Sequence, residues 1–298
     1  MNGGIVYAVL ACAGWGFAFV GPLLLRDWPA ADVAAGRYIA YGLWSLLSLG
    51  LLRLRRGVQP FDAGKWRAAL LLTLSGNLLY YVLLSVALQR AGVILPTLII
   101  GLLPVTVSLA GRLRAGHGLT PVYLLAVLLI LAGLWLANRP QPGVLGAPDA
   151  PGLLSALASL ALWTFYGVLN ADWLRAHPQV GGVEWSSLQG AGALPFALLL
   201  YVATPGRPGA EQWPLFLGVS LGLGVITSWA ANAAWNLASQ RVPAGLLGQL
   251  IVFETVFGIG YGAAWAGAWP SVTVLAGAAL LIGGVVIAIR EGGRPIAT

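Results

Sequence analysis

Apolar residues come in runs of close to twenty along the whole chain, separated by short clusters of arginine, proline, glycine and aspartate. A helix needs about 20 apolar residues to cross a bilayer. By that measure ten spans are predicted, over 4–24, 33–52, 68–89, 93–111, 121–138, 152–172, 185–203, 213–239, 244–266 and 271–289. The runs are continuous, whereas barrel strands would show roughly ten-residue alternating segments, so spanning helices are expected. The expected fold class is all-α integral membrane.

Composition agrees. Of 298 residues, 59% are hydrophobic and 8% charged, against about 25% charged in soluble domains. A mean hydropathy of +0.85 leaves too little polar surface to cover a water-soluble globule. The 41 glycines would let membrane helices approach closely, and the 13 tryptophans suit the membrane interface or a ligand cavity. The opening MNGGIVYAVL lacks a basic n-region and a small-residue cleavage site, so it reads as a retained first span. The single cysteine, Cys12, excludes an intramolecular disulfide and a multi-cysteine metal site, and is expected to be a small buried residue.

The net charge of +7 takes its meaning from position. With a cytoplasmic N-terminus, the inner segments hold Arg53, Arg55, Arg56, Lys65, Arg67, Arg112, Arg114, Arg175, Arg241, Arg290 and Arg294, and the outer loops hold only Arg26, Arg90, Arg139 and Arg207. Eleven against four places both termini in the cytoplasm and accounts for most of the basic excess without nucleic acid.

The chain also repeats. GWGFAFVG at 14–21 resembles LWTFYGVL at 162–169, and ALQRAGVILP at 87–96 resembles ASQRVPAGLL at 238–247, at offsets of 148 and 151. Residues 1–140 and 150–292 are therefore expected to be two five-helix repeats. An odd span count makes the second enter the membrane from the opposite side, an inverted repeat common in secondary transporters, with substrate near the midplane.

Motifs for other chemistry are weak. GVSLG at 218–222 fits Gly-x-Ser-x-Gly but lies within an apolar span, far from His117 and His177 in sequence; a small-residue packing face suits it better. No HExxH, no GxxxxGK and no metal-ligand cluster occurs, and no cofactor is expected.

Polar residues inside the spans carry more. Asn77, Tyr81 and Ser85 recur at i, i+4, i+8, and the repeat maps them onto Ser228, Asn232 and Asn236. Each set shares a helix face, and membrane amides need a partner or water, so these faces either glue helices or line a cavity. Trp15 and Phe19 on span one, Trp163, Tyr166 and Asn170 on span six, Tyr80 with Tyr81 on span three, and Trp229 with Trp235 on span eight would suit a flat or amphipathic substrate; packing is the alternative. Gly92, Pro96, Gly245 and Gly248 offer bending or close packing. Arg37 near one end of span two either snorkels or turns inward to a carboxylate. Glu254, central in span nine, is too costly to face lipid. It is either held structurally, with Gln249, Arg37 or a backbone group as partner, or it faces the cavity to bind a substrate amine or a proton.

ACAGWGFAFV in span one, AAGRYIAYGLW in span two, and the TP and WP steps of LTPVYLLAVLLILAG and AWPSVTVLAGAALLIGG before spans five and ten resemble the drug/metabolite transporter superfamily with its EamA-type repeat. Within it, the Trp-rich spans and LIVFETVFG look most like the aromatic amino-acid exporters of bacterial inner membranes. The resemblance implies a ten-helix basket around a central cavity walled by spans one, three, four, six, eight and nine, with five and ten peripheral. Many members carry an acid just after span four; GRLRAGHGLT here has none, so no coupling role transfers. The expected function is export of small amphipathic metabolites, aromatic or neutral amino acids foremost, by alternating access. The partners are then a small-molecule substrate and membrane lipid. An organic-cation multidrug exporter and an intramembrane enzyme are the alternatives.

Overall fold

The computed structural model describes residues 2–19, 24–25, 27–56, 62–91, 96, 99–137, 150–205, 208–267 and 269–292. Among these every regular element is helical. Span one is α1 (Asn2–Gly16) with a 3₁₀ turn at Phe17–Phe19, and span two is α2 (Ala30–Arg56). Span three is α3 (Ala63–Thr73), a π segment (Leu74–Leu79) and α4 (Tyr80–Ala91). Spans four to seven are α5 (Leu103–Arg114), α6 (Pro121–Ala137), α7 (Ala150–Ala176) and α8 (Gly182–Ala203). Span eight is α9 (Trp213–Gly222), a second π segment (Leu223–Ala230) and α10 (Ala231–Ser239). Span nine is α11 (Ala244–Leu250) and α12 (Val252–Ala266), and span ten is α13 (Val272–Gly292). Six helical stretches among the described residues are long and apolar enough to cross a membrane, and Gly3–Gly16 and Pro121–Leu136 are shorter apolar helices.

Local chemistry sets several ends. Asp62 caps α3 by accepting from the Lys65 amide at 3.0 Å, satisfying an otherwise orphaned donor. Proline stands in the first turn of α5 and α9, where its missing N–H costs nothing. Gly267, at φ 61°, closes α12 in the left-handed region.

The closest helix packing falls in five pairs: spans one with eight, two with seven, three with six, four with nine and five with ten. Glycine sets the spacing. A Cβ on Gly133 would lie 2.7 Å from the Gly277 carbonyl and 2.8 Å from the Leu281 nitrogen, and one on Gly284 would lie 2.8 Å from the Ala126 carbonyl and from Ile130 Cγ1. Helices α6 and α13 thus run antiparallel. Gly133 and Gly284, Ala126 and Gly277, Ile130 and Leu281 each stand 151 apart in number, so exchanging the helices maps the contact onto itself. Between α2 and α8, Gly42 meets Leu194, Gly190 meets Tyr41 and Ser45, and Ser187 donates to Ser48 at 3.0 Å. That pair is antiparallel too.

Some expectations need correction. Gly218 and Gly222 of GVSLG have nothing within 4 Å of an added Cβ, so they make no packing face. The close-packed side of that region is Ser220, which fills the space beside Gly36. Gly245 and Gly248 press on α5, against Arg112 and Ser108, so both are packing glycines. Gly92 and the 138–149 link between the halves lie outside the described residues. Spans two and seven, which the resemblance leaves out of the cavity wall, bring Tyr41 and Trp185 wholly inside the bundle while Leu43, Leu47 and Leu199 face outward.

Candidate functional site: a sealed polar plug and a charged chamber

Three indoles meet in the middle of the bundle. The ring centroids of Trp15 and Trp163 are 5.8 Å apart edge to face, those of Trp15 and Trp235 5.0 Å, and those of Trp163 and Trp235 6.0 Å. Tyr166 adds an edge to Trp163 at 5.7 Å. Trp15 Nε1 donates to Asn232 Oδ1 at 3.2 Å, and Asn232 Nδ2 donates to the Tyr41 hydroxyl at 3.4 Å, which donates to the Ser186 carbonyl at 2.7 Å. A second amide group adjoins it. Asn170 Nδ2 donates to Asn236 Oδ1 at 3.0 Å, while Asn170 Oδ1 accepts from Trp185 Nε1 at 2.7 Å and Gln189 Nε2 at 3.2 Å. All of these side chains are buried. Asn232 and Asn236 of the expected span-eight face thus enter two adjoining networks that plug the bundle's core, while Asn77 of the span-three face stands apart from them.

The plug lies toward the end of the bundle that carries the start of α1 and the end of α13. Ion pairs ring that end: Lys65 with Glu184 at 2.9 Å, Arg112 with Glu291 at 3.3 Å, and Asp172 with Arg114 at 2.9 Å and Arg175 at 2.6 Å. Of these, Arg112, Arg114, Asp172, Arg175 and Glu291 line a cavity of about 400 Å³ that Gln249 also lines. Gln249 is buried and donates through Nε2 to Ser108 Oγ at 3.1 Å; it is not the partner of Glu254. A larger cavity, about 800 Å³, lies between α1, α10 and α12 and is lined by Leu10, Phe17 and Ile226, all exposed. Its apolar, outward lining fits lipid chains.

Beyond the plug stands a different group. Arg37 turns inward: Nε donates to Ser228 Oγ at 2.9 Å, and the guanidinium lies 5.4 Å from the Tyr38 ring centre and 5.8 Å from that of Tyr81. Tyr38 donates to the Asn77 carbonyl at 3.2 Å, and Asn77 Nδ2 donates to Thr73 Oγ1 at 3.2 Å. The snorkelling alternative for Arg37 is thus set aside. Tyr80 is half-buried, and its carbonyl accepts from Ser159 at 3.0 Å. Glu254 follows a tightened turn at Ile251 that keeps helical dihedrals (φ −57°, ψ −26°) within span nine, and its amide donates to the Ile251 carbonyl at 2.8 Å. Its side chain is half-buried and has no hydrogen-bond or ion-pair partner among the described residues. Arg37 and Tyr80 are within its electrostatic range, and Cys12, one turn below, donates to the Leu250 carbonyl at 3.4 Å.

Of the expected residues, the structure groups Trp15, Trp163, Tyr166, Asn170, Asn232 and Asn236 in the plug, and Arg37, Asn77, Tyr81 and Ser228 around the guanidinium. Tyr80 and Glu254 face the same region. The side chains of Phe19 and Ser85 lie outside what the structure describes. Tyr38, Tyr41, Trp185 and Gln189 were not anticipated. A signal existed for span two, since Arg37, Tyr41, Ser45 and Ser48 follow at helical spacing on one face.

Residues 2–139 match the EamA-like transporter family. Over 311 aligned residues the chain is 37% identical to the inner membrane protein YtfF of Escherichia coli (strain K12), covering 97% of this chain and 96% of that one. The chain belongs to the EamA-like transporter family. A solved crystal structure shares the EamA-like chain's fold at a TM-score of 0.77 with 21% identity, over 98% of both chains. Membership in the family makes the chain a membrane transporter, and the intramembrane-enzyme alternative falls away.

Proposed function

We propose that this EamA-like chain is a secondary transporter of the bacterial inner membrane that exports small amphipathic metabolites, aromatic and other neutral amino acids foremost. The observation that carries the reading is the aromatic and amide plug of Trp15, Trp163, Trp235, Asn170, Asn232 and Asn236, sealed toward one end and bordered on the other side by Arg37, Tyr38, Tyr80, Tyr81 and Glu254. A barrier on one side of a polar chamber is half of an alternating-access cycle. The Escherichia coli relative is an inner membrane protein, which supports that location here.

Two inverted halves, 1–140 and 150–292, would supply the rocking bodies. The exchange-symmetric packing (two with seven, four with nine and five with ten pair counterparts, and one–eight maps onto six–three), the self-mapping α6–α13 crossing, and π segments at Leu74–Leu79 and Leu223–Ala230, 149 apart in number, support that arrangement. The arginine bias and the ring of ion pairs support a cytoplasmic location for the sealed end and both termini. The chain is then open outward.

The test is uptake of labelled amino acids by purified protein in proteoliposomes, with unlabelled competitors. Saturable flux of phenylalanine or tryptophan, reduced more by Trp15→Ala and Trp163→Ala than flux of alanine is, supports the reading. Equal losses for all substrates would assign the indoles to packing alone. A second reading, export of organic cations, is favoured by one observation, the unpartnered carboxylate of Glu254. Saturable uptake of a quaternary ammonium compound, without amino-acid competition, would select it.

A further inference from the structure

Two opposite charges stand deep in the bundle without touching. Arg37 uses only Nε, toward Ser228, whereas a guanidinium carries five N–H donors. Its terminal nitrogens make no hydrogen bond among the described residues, and they are not sealed from open space. The same holds for both oxygens of Glu254. A buried charge is stable only when paired or solvated. Neither group touches a counter-ion among the described residues, and each is partly accessible, so each faces space that water or a ligand can fill. Tyr80 and Tyr81 are half-buried as well, and Tyr80 stands within electrostatic reach of both charges. Tyr38 backs the guanidinium, its ring 6.1 Å from that of Tyr81.

We propose that Arg37 and Glu254 form a clamp for a zwitterion, the guanidinium receiving a carboxylate and Glu254 receiving an ammonium group, with the tyrosines against the remainder of the substrate. The proposal rests on the amino-acid reading above and adds the residues that recognise the charged end. A guanidinium fork matches carboxylate geometry through two parallel hydrogen bonds. Together the two charges sum to zero. A substrate of matching internal charges leaves none of them uncompensated, whereas a simple amine leaves Arg37 unpaired and a simple carboxylate leaves Glu254 unpaired. The clamp therefore selects zwitterions over single-charge analogues of the same side chain.

The experiment measures binding to the full-length protein in lipid nanodiscs, with labelled phenylalanine and labelled alanine as probes and with phenethylamine and 3-phenylpropionate as competitors. Wild type should prefer phenylalanine to both analogues. Glu254→Gln should weaken phenylalanine and alanine binding by about tenfold or more, the range for losing a charge-assisted hydrogen bond, and should leave phenylpropionate binding unchanged or tighter. Arg37→Gln should weaken both amino acids comparably and leave phenethylamine binding unchanged or tighter. Glu254→Asp and Arg37→Lys, which keep charge, guard against misfolding and should fall between. Unchanged zwitterion affinity in both neutral variants, or equal losses for zwitterions and single-charge analogues, would overturn the clamp while leaving amino-acid transport standing. Binding of alanine but not phenylalanine, lost in both variants, would keep the clamp and overturn the aromatic preference. Failure of wild type to bind either amino acid would overturn both.

Discussion

At the residue scale, the plug depends on shared atoms. Asn170 Oδ1 accepts from two donors at once, Trp185 Nε1 and Gln189 Nε2. Asn170→Leu leaves both donors and Asn236 without that partner, and should lower detergent stability more than Asn232→Leu, whose amide serves one indole and one distant hydroxyl. Thermal unfolding of the two variants side by side checks the order. A double-mutant cycle of Trp15→Phe with Asn232→Leu should give a coupling of about 0.6 kcal/mol, the average for polar contacts between membrane helices. Cys12 is wholly buried and its thiol faces the Leu250 carbonyl; a membrane-permeant maleimide should label it only after denaturation. Arg37, Glu254 and the buried asparagines were legible in the sequence because a charge or an amide stands out in an apolar run. Tyr38, Tyr41 and Trp185 were not. Aromatic residues belong equally to cores, interfaces and sites, and only their hydrogen bonds, seen in space, separate them.

At the element scale, span count was readable and helix continuity was not. Hydrophobic runs give the existence of helices, but a π segment changes the local register without changing the run. Both π segments carry polar residues, Ser75 and Asn77 in one and Thr227 and Ser228 in the other. The expected single face through Asn77 and Tyr81 therefore divides: Asn77 bonds back to Thr73, while Tyr81 meets Arg37. The tightened turn at Ile251, where the Glu254 amide bonds the carbonyl three residues back, was equally hidden. Glycine roles also require contacts. Gly133→Leu drives a side chain into the backbone of α13 and should destabilise by roughly 1–3 kcal/mol, the usual cost of overpacking. Gly218→Ala meets open space and should leave stability unchanged or slightly raised through helix propensity. Chemical unfolding in detergent separates the two.

At the scale of the whole molecule, the proposed cycle makes the ion-pair end shut and the other end open. Single cysteines introduced into a background lacking Cys12 should report this. Tyr81→Cys should react with a small charged thiol reagent, and Asn236→Cys should resist it until substrate turnover opens the ion-pair end. Equal reactivity at both sites would show that the plug does not seal. The α6–α13 crossing bears on how such a chain holds together. Because Gly133 and Gly284 make interchangeable contacts, the two helices form what would be a two-fold interface if they belonged to separate molecules. The chain can then be regarded as a dimer whose subunits happen to be joined, with the join adding proximity rather than recognition. Fragments 1–140 and 150–298, expressed from separate genes in one cell, should find each other in the membrane and co-purify through a tag on either. Gly133→Leu in the first fragment should abolish that pairing, since the surface it disrupts would be the one that does the recognising.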